Sequence, residues 1–227
     1  MLSQDYQDEY DALLSRISRL CGGGPEVPTD VCAHWPMHTQ KYTGRLLVVG
    51  QALNGWMVMA TTCSLADEVV RADTLARTRS TSESSNAWDW MWPAPWGRPF
   101  WRIAQLAMDS MNLELEQIAW SNLAKISPAR GKNPKGALLS EQHVQGGQLL
   151  KKELSELDPA TVLILSARGY LDPFLDGAGI RPDWAGREGA LHFDGQVEGR
   201  RWVVVSHPST WAYKFNATAR AVSKALG

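Results

Sequence analysis

The chain has 227 residues, 21% of them charged, with a formal net charge of −1. This composition suits one globular α/β domain with a sizeable core and excludes a disordered or fibrous chain. It also excludes nucleic-acid binding by bulk charge, so any contact with DNA must come from a local basic patch.

Residues 5–21 read as a first helix, with Tyr6, Tyr10, Leu13, Leu14 and Ile17 on one face. Its acidic, amphipathic start is neither a signal nor a transit peptide. "CGGGPEVPTD" ends it in a loop. "RLLVVG", 45–50, is a short apolar run closed by glycine and reads as a buried strand. Residues 64–78 read as a helix, and 79–98 as a long loop rich in Ser, Pro and Trp. Trp88, Trp90, Trp92, Trp96 and Trp101 crowd into "NAWDWMWPAPWGRPFW", either as a self-packed loop or as a stacking surface for bases. "PFWRIAQLAMDSM", 99–111, is a helix with Pro99 in its first turn. "IAWSNLAK", 118–125, is a second strand, followed by the basic loop "SPARGKNPKG". Residues 140–157 form a helix with Ser140 as the expected N-cap. "ATVLILSA", 160–167, is a third strand, "RRWVVVSHP" a fourth, and a last helix runs from about Ser209 to Leu226.

Alternation of strands and helices predicts a three-layer α/β/α fold around a central, mainly parallel four-stranded sheet. The whole chain reads as a single domain with an N-terminal extension (1–44) and an insertion (57–97). In such sheets ligands bind beyond the carboxyl ends of the strands. The residues to inspect there are Gly50 to Asn54, Asn122 to Lys125, Ser166 to Arg168, and His207 to Ser209.

Cys21, Cys32 and Cys63 are odd in number and irregular in spacing, which predicts reduced thiols and a cytoplasmic protein. No apolar run is long enough to span a bilayer. "CAHWPMH" places Cys32, His34 and His38 close together, but the spacing matches no strong zinc motif and lacks an obvious fourth ligand, so no metal is expected.

"VVGQALNGW", "RPFWRIAQL", "SNLAKISPARGKNP", "LKKELSELDPATVLILSARG" and "VVVSHPST" follow the order and spacing of the uracil-DNA glycosylase superfamily, which the chain resembles over roughly residues 45–56 and 98–226. The resemblance implies a uracil-DNA glycosylase-like fold and hydrolysis of the N-glycosidic bond of uracil, or of another deaminated or modified base, without a cofactor. DNA or a nucleobase would be the partner. His207 matches the histidine of the family's His-Pro-Ser motif, which donates to the leaving base. Phe100 resembles the aromatic residue that stacks on the flipped base, and Asn122 the asparagine that reads its edge. Gln51 and Ala52 fall in the first motif, which lines the pocket. Ser209 falls in the loop that grips the phosphates. Lys125, Arg130 and Lys132 form the expected DNA-backbone patch, extended by Lys135, Lys151 and Lys152.

The first motif departs from the family pattern. Many active branches carry Asp, Asn or Glu two or three residues after the glycine, where this chain has Ala52 and Leu53. Asn54 is the substitute for the water-orienting group, with Asp67, Glu68 and Asp89 of the insertion as further candidates. The three cysteines do not sit at the positions of the iron–sulfur branches. A non-catalytic relative that binds a base, nucleotide or DNA is therefore the alternative function. A serine hydrolase of the G-x-S-x-G type is disfavoured, because no such elbow occurs.

Overall fold

The computed structural model describes residues 2–24, 27–52, 58–83, 98–130, 133–184, 189–208 and 212–227. In chain order the strands are β1 (Asp30–Ala33), β2 (Met37–His38), β3 (Leu46–Gly50), β4 (Val58–Thr61), β5 (Ala119–Asn122), β6 (Ile126–Pro128), β7 (Thr161–Leu165), β8 (Leu191–Val197) and β9 (Arg200–Val205). The α-helices are α1 (Gln4–Ser18), α2 (Glu68–Glu83), α3 (Pro99–Met111), α4 (Gly136–Ser140), α5 (Gln142–Leu157), α6 (Arg168–Ala178) and α7 (Ala212–Leu226).

The fold is α/β. Six strands form a mixed sheet in the order β2-β5-β3-β7-β9-β8. β5, β3, β7 and β9 run parallel, and the antiparallel strands β2 and β8 close the two edges. The sheet is thus wider than the four strands expected, because both edge strands are short or polar and lack an apolar run. A second, three-stranded antiparallel sheet has the order β4-β1-β6.

β3, β7 and β5 are buried along their whole length and β9 over its last four residues, because both of their faces are covered. Side chains alternate across a strand, so Leu47 and Val49 enter a core with Tyr6, Tyr10 and Leu13 of α1, Leu150 of α5 and Phe174 of α6. Leu46 and Val48 enter another core with Ile103 and Met108 of α3 and Val222 of α7. Close contact between α5 and α6 depends on Gly147 and Gly177, where a Cβ would overlap the opposing backbone.

Several boundaries differ from expectation. Ser140 does not cap the helix at 142–157; it ends α4, and its hydroxyl donates to Gly136 O at 3.0 Å. α2 starts at Glu68 and reaches Glu83, beyond the expected end, because Thr74, Thr78 and Ser82 supply a buried face of small hydroxyl residues rather than an apolar stripe. α6 was not anticipated, since Gly169, Pro173 and Gly177 interrupt its pattern. Reduced thiols are not what the structure holds: Cys21 and Cys63 form a disulfide with their Cα atoms 4.9 Å apart. Irregular spacing hid the pair, because it joins the loop after α1 to the turn after β4. Cys32 is buried and stands outside this disulfide, with its Sγ toward Ser127 O. No helix among the described residues is long and apolar enough to cross a membrane.

Candidate functional site

The parallel strands end level with one another, with Gly50 beside Asn122 and Leu165 beside Val205. Their exits are joined by hydrogen bonds. The Gln51 side-chain amide donates from Nε2 to Ser166 Oγ at 3.2 Å, and Ser166 N donates to Val205 O at 3.0 Å. Leu123 N and Ala124 N donate to Gly50 O and Gln51 O, which fastens the end of β5 to the end of β3. Asn133 Nδ2 donates to Gln51 Oε1 at 3.3 Å, so the basic loop after β6 folds back onto the first exit.

Asn122 and Phe100 meet over Gly50. A Cβ at that position would overlap Asn122 Oδ1 and approach Phe100 Cε2 to 3.0 Å. Phe100, half-buried in the first turn of α3, packs edge-on against Trp101 at 5.1 Å between ring centroids and lies 6.2 Å from Trp120. Asn122 is only 2% exposed, and its Nδ2 has no hydrogen-bond partner among the described residues. A buried amide N–H donor without a partner is costly unless something accepts from it. The structure therefore brings Gln51, Phe100 and Asn122 to the same sheet edge. Ala52 sits one residue further on, half-buried against the core that contains α1. Asn54, Lys132 and Ser209 lie outside the described residues.

His207 is exposed at the end of β9, one residue before buried Pro208. The surrounding protein still desolvates the imidazolium and lowers its pKa, opposed by a hydrogen bond with the Pro208 backbone. The lowered pKa favours the neutral ring, whose one N–H donates to the Pro208 carbonyl. Just before it, Ser206 Oγ lies 3.0 Å from His192 Nε2.

Lys125 is not a DNA-backbone contact. It is fully buried, and its ammonium pairs with Glu153 Oε1 at 2.5 Å while donating to Ser121 Oγ at 2.7 Å and Asn122 O at 2.5 Å. Tyr6 OH donates to the same Glu153 oxygen at 2.7 Å. Burial lowers the Lys125 pKa, and Glu153 acts to raise it. At the end of the expected second strand, Lys125 is expected on the surface, because lysine is almost never fully buried unless paired. Its partner was legible in principle: Glu153 lies on the same helical face as Leu150, Leu154 and Leu157.

The other basic candidates face solvent more. Arg130 and Lys135 are exposed in the loop beside the first exit, and Lys151 is exposed and Lys152 half-buried on α5. Asp67 does not reach over the pocket; its Oδ1 accepts from Val69 N and Val70 N at the start of α2. Glu68 lines a groove between α1 and α2 with Asp8, Asp11, Arg79 and Glu83, in which Glu83 pairs with Arg79 and Asp11 with Arg71. Asp89 and four of the crowded tryptophans lie outside the described residues, while Trp101 is core. Cys32, His34 and His38 do not gather: Cys32 Sγ points at Ser127 O, His34 is buried with its ring 4.8 Å from Trp120, and no group of three metal-binding side chains occurs among the described residues.

Sequence reasoning missed Ser166 as a partner of Gln51, and Gly50 as the floor on which Asn122 and Phe100 meet. The signal for Gly50 was present, since a glycine closing a buried strand marks a close approach. No protein-family model matches the chain, and no curated protein matches its sequence.

Proposed function

We propose that the chain is a DNA glycosylase of the uracil-DNA glycosylase type, which hydrolyses the N-glycosidic bond of uracil or another deaminated or modified base after flipping it from the helix. One observation carries the reading. A buried asparagine amide whose N–H has no partner among the described residues and a half-buried phenylalanine ring meet over a glycine at the carboxyl edge of the parallel strands. A base inside a duplex is unreachable, so it must be extruded from the helix to meet these groups. The Asn122 amide offers a donor and an acceptor, which match the mixed edge of a pyrimidine. The Phe100 ring contributes stacking of about 1–3 kcal/mol. His207, as a neutral imidazole, would turn its one N–H from the Pro208 carbonyl to the oxygen on which negative charge grows as the bond breaks, and so favour the transition state over the ground state. Asn54 would orient the attacking water, Arg130 and Lys132 would meet backbone phosphates, and Ser209 would hold the strand beside the scissile nucleotide.

A second reading, a non-catalytic base or DNA binder, is favoured by Ala52. Its methyl group packs into the core at the place where active relatives carry a polar side chain for water.

The test is an abasic-site cleavage assay on oligonucleotides carrying uracil, hypoxanthine or xanthine, single-stranded and paired. Excision by the wild type that is lost in His207→Ala supports the glycosylase. Binding of the same oligonucleotides without excision of any base supports the binder.

A further inference from the structure

We infer that Lys125 is a positioning residue: its buried ammonium, neutralised by Glu153, grips the last peptide of β5 and so fixes the Asn122 side chain in the orientation that selects a base. The inference rests on the base-pocket reading of Asn122.

The ammonium makes three contacts, and two of them fall on β5. Ser121 Oγ and Asn122 O are held at 2.7 and 2.5 Å, from within the same turn of chain. The Asn122 carbonyl thus accepts from a buried cation at the point where the strand ends. The third contact, with Glu153, anchors the device to α5, and Tyr6 ties that carboxylate to α1. Lys125 is also fixed by its own backbone, because its carbonyl accepts from His34 N at 2.8 Å. The next residue is clamped as well: Ile126 N donates to Gln142 Oε1, and Gln142 Nε2 donates to Ile126 O. The turn from β5 to β6 is therefore held by α5 and by the residue that follows β1, directly behind the asparagine.

Stability alone does not account for this arrangement. Removing two charges from water costs about as much as their attraction returns, and apolar replacements of similar volume are often as stable or more so. Conformational definition is the remaining benefit, and the group defined is Asn122. An amide that must tell one pyrimidine edge from another needs its donor and acceptor held within a few tenths of an ångström.

The decisive variant is Lys125→Met/Glu153→Leu, which replaces both charges by apolar side chains and leaves no unpaired ion. Lys125→Met alone strands the Glu153 carboxylate and serves only as a comparison. Two readouts are made on the folded double variant. The first is amide hydrogen exchange at Leu123 and Ala124, whose N–H groups close the β5 exit onto β3, with Val162 to Leu165 of β7 as internal reference. The second is the preference for single-stranded oligonucleotides carrying one uracil over those carrying one thymine. The expected result is a local loss of protection of at least tenfold at the β5 exit with β7 unchanged, and at least a tenfold loss of uracil preference with overall oligonucleotide affinity retained. Wild-type protection and preference in the folded double variant overturn the inference, because the pair is then only structural. A uniform loss of protection across β5 and β7 overturns it too. If the β5 exit loosens but the wild type prefers neither base, Lys125 is confirmed as the residue that holds Asn122, and the base-pocket reading falls instead.

Discussion

Asn122 Oδ1 lies where a Cβ of Gly50 would stand, at the level where the neighbouring parallel strands β3 and β5 end side by side. Gly50 does not adopt a left-handed backbone conformation, so what it supplies is space. In Gly50→Ala the new methyl meets the Asn122 amide and the Phe100 ring, neither of which is the free end of a flexible chain. Overpacking of this kind costs about 1–3 kcal/mol. The expected outcome is a modest fall in Tm with a much larger fall in base binding or excision, measured on the same preparation. Unchanged base binding in a folded Gly50→Ala protein would remove Asn122 and Phe100 from the site.

His207 separates chemistry from folding. Its side chain is exposed at the end of β9, and exposed substitutions outside special features change stability by about 0.5 kcal/mol or less. Loss of one donor to a developing anion costs about 10²–10³ in rate. His207→Ala should therefore keep its melting curve and lose excision by that factor, with oligonucleotide affinity nearly intact. Equal activity in the variant would place the leaving-group donor elsewhere.

His34 sets a pH dependence of stability. It is fully buried beside Trp120, neither ring nitrogen has a hydrogen-bond partner among the described residues, and desolvation together with the Lys125 charge holds its pKa well below 6.5. The unfolded chain takes up this proton near pH 6.5, whereas the folded chain takes it up only at much lower pH. The unfolded state therefore binds more protons below pH 6.5, and stability falls as the pH is lowered, by up to about 1.4 kcal/mol per pH unit. His34→Leu removes that contribution. Denaturant unfolding at pH 7.5, 6.5 and 5.5 should show a shallower decline in the variant. At pH 7.5 its stability should equal or exceed that of the wild type, because two unsatisfied polar atoms have left the core. An identical decline in both proteins would assign the pH dependence to other groups.

The inner sheet was legible in the sequence for a simple reason. "LLVVG", "TVLIL" and "RWVVV" are apolar on both faces, and only a sheet covered on both sides calls for that. β8 was not, because "LHFDGQV" is an antiparallel edge strand with polar residues scattered along it. β1, β4 and β6 are three or four residues long and take their pairing from one another, so no local pattern marks them. At the site, Gln51, Phe100 and Asn122 could be found because ligand sites in such sheets follow strand ends. Lys125 was placed wrongly because residue type outweighed context: "NLAKI" is an apolar segment, and a lysine inside one needs a buried carboxylate. The link from Asn133 to Gln51, across 82 residues of chain, leaves no trace in local sequence.

The Cys21–Cys63 disulfide carries the last prediction. It closes a loop of 42 residues that contains β1, β2, β3 and β4. It thereby restricts the unfolded chain between residues 21 and 63, a stretch that includes the β3 exit, while the carboxyl ends of β5, β7 and β9 lie outside the loop. Restricting a loop of this length contributes about 2–4 kcal/mol, chiefly by removing freedom from the unfolded state. Cys21→Ser/Cys63→Ser, or the wild type held in reductant, should melt several degrees lower with the same spectrum when folded, and should keep its base affinity at temperatures where it remains folded. Intact mass under non-reducing conditions decides whether the bond forms, since the oxidised chain is two hydrogens lighter than the reduced one. Cytosolic proteins seldom keep such a bond. Its presence in protein isolated under thiol-blocking conditions would therefore count against a reducing compartment, and free thiols at both positions would restore the cytoplasmic expectation.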